Sequence, residues 1–186
     1  MITTVRQARI ARSHYELSFE ALLNHRGTPY VSVEEVRRNM PGRVGIKSFD
    51  YIVYPPAGRA CLVDVKGRKS PVGPNCRGRL KNWVTQADVV GMGEWQSIFG
   101  SDFQAVFVFA YWLAPTSAAQ DAGLEPELPA GWQFAGRSYA HFLIPLDFYA
   151  RHARLLSKRW QTVSIPNERF AEAAIPLNEA WEAAPC

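Results

Sequence analysis

Residues 47–69 read KSFDYIVYPPAGRACLVDVKGRK, and three ionisable side chains in this stretch decide how the chain is read. Tyr51 to Tyr54 is a short β-rich run, Pro55-Pro56-Ala57-Gly58 breaks it, and Cys61 to Val65 is a second apolar run. That pattern predicts a β-hairpin. With the turn centred near Ala57, Asp50 falls opposite Asp64. Side chains alternate along a strand, so Asp64 and Lys66 share the face that Asp50 reaches, while Val63 and Val65 point away.

Two carboxylates and an ammonium thus converge among apolar strand residues. Like charges opposite one another destabilise a sheet, and ionised groups beside apolar neighbours are costly without compensation. A bound divalent cation compensates both. Two carboxylates suit Mg²⁺, which keeps several of its waters and binds together with substrate phosphates. A lysine two residues on can position water or stabilise negative charge growing on a phosphate. The chemistry that needs this set is phosphodiester hydrolysis. The bland alternative makes Asp64 and Lys66 solvent-facing partners on an edge strand and Asp50 the end of a turn.

Asp50 followed by Asp64-Val65-Lys66 resembles the core pattern of the PD-(D/E)XK nuclease superfamily, an Asp, a gap, and then (Asp/Glu)-x-Lys. The resemblance implies an α/β fold with a restriction-endonuclease-like core: a mixed central β-sheet flanked by helices in the order αβββαβ, followed by a C-terminal extension. It implies Asp50, Asp64, Lys66 and a helix-borne acid as catalytic residues. The metal ligands would be Glu16, Asp50, Asp64 and the Val65 carbonyl, and the ion Mg²⁺ or Mn²⁺. In layout the chain is most similar to the Holliday-junction resolvase branch, with an acid on the first helix and Gly eleven residues later, an offset that Glu16 and Gly27 reproduce. That offset favours Glu16 over Glu20, one turn further along the same edge; the alternative for both is an exposed helix face paired with Arg12 or Arg26. His14 to Glu20, HYELSFE, also resembles the defining stretch of the uncharacterised HYExAFE proteins, with Ser18 in place of Ala. His14 is read as a packing or capping residue.

The 186 residues are enough for one domain with a substantial core, the nuclease-like core covering about 4–113. No apolar run approaches bilayer length and no signal-peptide core opens the chain, so a cytoplasmic protein without a membrane partner is expected. Three cysteines without metal-ligand spacing, Cys61, Cys76 and Cys186, suggest neither a disulfide framework nor zinc. The net charge is +4, yet Arg59 to Lys81 alone carries seven basic residues against Asp64, a net +6. Such a cluster beside the proposed centre suits a polyanion, and DNA is the expected partner. Arg68, Lys69, Arg77 and Arg79 are the nucleic-acid contact candidates, on a loop from Gly67 to Gly78; a solvated basic loop is the alternative.

Along the rest of the chain, Thr4 to Asn24 is expected to be an amphipathic helix using Tyr15, Phe19, Leu22 and Leu23, stopped by Gly27. Pro29 to Val33 reads as a strand and Glu34 to Met40 as a connection closed by Pro41-Gly42. Asp88 to Phe99 should be a helix turning Val89, Met92, Trp95 and Phe99 to the sheet, and Phe103 to Leu113 a central strand buried on both faces. Gln86 and Gln96 are the local options for an assisting amide, and Trp83 is read as packing rather than stacking on a base. Ala114 to Gly131 is an acidic loop, Trp132 to Phe134 and Tyr139 to Leu146 a strand pair, Asp147 to Trp160 a basic helix, and Thr162 to Ile165 a strand before a helical tail interrupted by Pro176. The resulting expectation is a metal-dependent endonuclease acting on DNA, structured or branched DNA included, in repair or recombination. The alternative is a nuclease fold kept as a nucleic-acid-binding module without turnover. A junction resolvase needs two sites and hence a symmetric dimer.

Overall fold

The computed structural model describes residues 12–33, 46–70, 80–113 and 131–181. The expected readings of 34–45, 71–79 and 114–130, Arg77 and Arg79 among them, lie outside the described residues.

The first helix, α1, spans His14–Arg26, and the expected helical reading of 4–11 lies outside the described residues. Ser13 ends it: the residue is extended, and its hydroxyl accepts the Glu16 N–H as an N-cap. Gly27 stops the other end at φ 63°, the left-handed cap that glycine adopts without Cβ strain. β1 (Tyr30–Ser32), β2 (Tyr51–Val53) and β3 (Ala60–Lys69) pair antiparallel in sequence. The β2–β3 register sets Tyr51 against Val63 and Val53 against Cys61, which puts the turn centre at Ala57.

β3 runs to Lys69 instead of ending at Val65, so Gly67, Arg68 and Lys69 are strand and not loop. The cause is its other neighbour, β5 (Phe103–Trp112), which pairs in parallel with every residue of β3, from Ala60↔Phe103 to Lys69↔Trp112. Parallel strands need a long crossover. Here it contains the two-residue β4 (Val84–Thr85) and helix α2 (Gln86–Phe99). The order αβββαβ is thus realised, the restriction-endonuclease-like arrangement, with β4 added before α2.

Beyond this core, β6 (Trp132–Phe134) and β7 (Arg137–Pro145) form a hairpin, and β7 pairs antiparallel with the free side of β5. The expected basic helix over Asp147–Trp160 is corrected. Helix α3 (Leu146–His152) ends after seven residues, and β8 (Arg154–Ser157) pairs with β9 (Thr162–Ser164) because that strand offers a backbone partner. Helix α4 (Asn167–Ala173), the short β10 (Ile175–Pro176) and α5 (Leu177–Ala180) follow. The main sheet runs β1-β2-β3-β5-β7-β10 with β6 on β7, and a second sheet runs β4-β9-β8.

β5 is buried from Ala105 to Tyr111, and its alternation divides the core. Ala105, Phe107, Phe109 and Tyr111 face α2, α3 and Phe170, whereas Val106, Val108 and Ala110 face α1 together with Phe19, Leu23, Val63 and Val65. No helix among the described residues is long and apolar enough to cross a membrane.

Candidate active site

The register that pairs Tyr51 with Val63 carries on by one residue to bring Asp50 level with Asp64. Asp50 lies just before β2, where its N–H still donates to the Val63 carbonyl at 2.9 Å. Its carboxylate then replaces the missing strand: Oδ2 accepts the Val65 N–H at 2.7 Å. Asp64 and Lys66 alternate with the α1-facing Val63 and Val65, so they share the α2 face with Leu62. Lys66 Nζ reaches Asp64 Oδ2 at 2.7 Å, and Asp64 is 5% exposed.

A third carboxylate completes this group, and the sequence reading missed it. Asp88 Oδ1 accepts from Lys66 Nζ at 3.0 Å and also pairs with Lys47. Asp88 belongs to the capping box that starts α2. Its Oδ2 takes the Thr85 N–H and hydroxyl, each at 2.7 Å, and the Thr85 hydroxyl accepts the Asp88 N–H at 3.1 Å. The spacing Thr85-x-x-Asp88 before an apolar run is a visible capping signal; that the same acid reaches β3 is not.

Electrostatics separates the three acids. Burial pushes Asp50 up to about 7, with Asp64 and Glu16 adding to the rise. Burial also raises Asp64 above its ordinary range, outweighing the attraction of Lys66. Asp88 goes the other way: burial opposes its ionisation, but Lys66, Lys47 and Thr85 prevail and hold it at about 2. Lys66 loses solvation too, yet Asp64 and Asp88 keep it charged above its ordinary value. The α2 face therefore contains a firmly ionised pair, Lys66 with Asp88, beside two carboxylates that resist simultaneous ionisation.

Glu16 is not drawn into this group. It sits on α1, which packs the opposite face, and its Oε1 accepts the Ser13 hydroxyl at 2.6 Å. It remains near enough to raise Asp50. Glu20 is engaged elsewhere, by Arg12 and by the Tyr30 hydroxyl at 2.8 Å. Among the described residues no three His, Cys, Asp or Glu side chains are arranged as a metal-holding set. Asp50, Asp64 and the Val65 carbonyl are nevertheless hard oxygen donors, enough for an ion that keeps most of its waters. A dication would relieve the resistance of Asp50 and Asp64 to ionising together, so the donor set fits Mg²⁺ or Mn²⁺.

The remaining candidates disperse. Arg68 shares the α2 face but stacks on Trp83 at 3.9 Å and donates to the carbonyls of Gly67 and Trp83. Trp83 is thus a platform for an arginine. Lys69 is exposed on the α1 face, 5.0 Å from the centre of the Trp112 ring. Gln96 takes no part in the site: its amide donates to the Gly100 and Phe103 carbonyls and accepts the Ala105 N–H. The Gln86 N–H donates to the Gln161 carbonyl at the junction with the second sheet. His14 packs on Tyr15, and its Nδ1 lies 2.8 Å from the Tyr139 hydroxyl.

No family model matches the chain, and a search of curated proteins finds no significant match. Among solved structures it is similar to Hjc, a Holliday junction resolvase from the archaeal hyperthermophile Archaeoglobus fulgidus, at 12% identity with a TM-score of 0.49, over 88% of this chain and 93% of that one.

Proposed function

We propose that the chain is a metal-dependent endonuclease that hydrolyses phosphodiester bonds in DNA, with branched or otherwise structured DNA as its substrate class. The observation that carries this reading is the hairpin register that sets Asp50 level with Asp64, with Lys66 on the same face and bonded to Asp64 at 2.7 Å. Asp50 and Asp64, with the Val65 carbonyl, would hold Mg²⁺ or Mn²⁺. When bound, the cation supplies neutralisation of charge on the scissile phosphate and the leaving oxygen. Lys66 stays protonated between its two acids, so it donates hydrogen bonds to phosphate oxygen or to the attacking water and is not a base. Glu16, near enough to act on Asp50 through its charge, would orient water on that side once its carboxylate leaves the Ser13 hydroxyl. Lys69, with Arg77 and Arg79, attracts the phosphate backbone. A four-way junction requires two such centres, which two-fold pairing of the chain supplies.

The test is cleavage of plasmid and branched DNA with Mg²⁺ by the wild type, Asp64→Ala and Lys66→Ala. Each variant should lose about 10²-fold or more in rate, the scale of removing a transition-state donor. Equal activity in all three would assign the cutting to a contaminant and end this reading. Retention as a nucleic-acid-binding module without turnover is the second reading. Favouring it are the turn of Glu16 to Ser13 and the full engagement of Lys66 by two carboxylates. Salt-dependent DNA binding with no metal-dependent cleavage would select it.

A further inference from the structure

Lys66 is held by two acids at once, and the reading above asks one of them to take up a dication. Asp64 Oδ2 is 2.7 Å from the Lys66 ammonium. An ammonium and a dication repel strongly where water is scarce, so one carboxylate oxygen does not serve both at contact distance. A cation on the other oxygen of Asp64 draws on the same carboxylate charge and repels the ammonium, so without another anchor Lys66 and the ion would compete for Asp64.

Asp88 provides the anchor, and its two oxygens divide the work. Oδ2 is occupied by Thr85 through two bonds of 2.7 Å, which fixes the carboxylate to the first turn of α2. Oδ1 is left for the lysines, Lys66 at 3.0 Å and Lys47. The side chain of Asp88 is 3% exposed, so this grip operates away from solvent and is weakly screened. The ion pairs support the same division: Asp88 is shared by Lys47 and Lys66, whereas Asp64 pairs with Lys66 alone.

Resting on the metal-dependent reading, we infer that Asp88 is a positioning residue. It retains the Lys66 ammonium when Asp64 turns to a divalent cation, so ion and lysine occupy the site together. Asp88 itself touches neither the ion nor the phosphate. Its carboxylate sets where Lys66 stands.

The test is Mn²⁺ binding without DNA, measured by calorimetry on the wild type, Asp88→Asn, Lys66→Met and the double variant, with folding checked by circular dichroism. Asp88→Asn keeps the capping geometry but gives up the charge, leaving Lys66 to compete for Asp64, so Mn²⁺ affinity should fall about tenfold. Lys66→Met removes the competitor and should bind Mn²⁺ at least as tightly as the wild type. In that background the further change Asp88→Asn should cost less than about threefold. The same loss in both backgrounds overturns the inference, because Asp88 would then act directly or only through the fold. Should Asp88→Asn fail to fold, weaker Mn²⁺ binding by Lys66→Met alone overturns it. A wild type that binds no Mn²⁺ ends the metal-dependent reading, and the role of Asp88 falls with it.

Discussion

Asp50 shows how one residue makes the proposed site pH-dependent. Its carboxyl titrates at about 7 in the folded chain against an ordinary 3.8, with burial the main cause and Asp64 the second. The folded state therefore keeps a proton that the unfolded chain releases between those two values. Stability from this group is greatest below pH 3.8, declines as pH rises, and reaches its full penalty above about 7. Asp50→Asn still accepts the Val65 N–H but never ionises. It should gain on the order of 2–4 kcal/mol over the wild type at pH 8 and almost nothing at pH 4, measured by urea denaturation at both values. A divalent ion at Asp50 and Asp64 would offset the same penalty, so saturating Mg²⁺ should raise the melting temperature more at pH 8 than at pH 6. An equal Mg²⁺ effect at both would place the ion elsewhere. The alternation of β3 and the turn centred on Ala57 make Asp50, Asp64 and Lys66 legible as a group in the sequence alone. Asp88 and Lys47 are not, because their ion pairs bridge separations of 22 and 41 residues that local periodicity does not encode.

At the scale of elements, the contact between α1 and β3 depends on Gly67. The glycine stands between Lys66 and Arg68 with its α1-facing side under the ring of Tyr15. A Cβ there would lie 2.1–2.6 Å from three ring atoms. Gly67→Ala should therefore cost about 1–3 kcal/mol, the usual range for overpacking, by pushing the start of α1 off the sheet. Replacing Tyr15 by Ala in the same chain should recover part of the loss in urea denaturation, which a backbone effect at Gly67 would not permit. Because Tyr15 precedes Glu16, the displacement should also weaken any help Glu16 gives Asp50. The GRK run reads as a loop because its composition is polar and glycine-bearing. The parallel ladder from β5 overrides that composition. The opposite mismatch occurs at Arg154–Ser157, where helix-compatible residues are drawn into β8 by pairing with β9. In both places a strand partner decides the backbone, β5 from some forty residues away for GRK and the next strand of a hairpin, β9, for Arg154–Ser157, so composition alone fails there.

For the whole molecule, the C-terminal half is built into the framework of the proposed site rather than appended to it. β7 pairs with β5 from Val106↔Pro145 to Trp112↔Tyr139, covering the edge that Phe103–Trp112 would otherwise present. That strand is buried along Ala105–Tyr111, and an uncovered apolar edge of this length invites intermolecular pairing. The second sheet reaches the site from the other side. Val84 and Thr85 pair with Val163 and Thr162, and the buried Asn82 exchanges side-chain bonds with the Ile165 backbone at 3.0 and 3.1 Å. Thr85 is the residue that clamps Asp88, so β9 steadies the start of α2 and with it the partner of Lys66. We propose that both halves fold as one cooperative unit. A chain ending at Leu113 keeps all three carboxylates and both lysines, yet it loses the cover on β5 and the strand that holds Thr85. It should aggregate or lack a cooperative thermal transition by circular dichroism, and should bind no Mn²⁺. A soluble, cooperatively melting fragment that still binds the ion would mean that α1 to β5 builds the site alone, and that residues 131–181 serve another purpose.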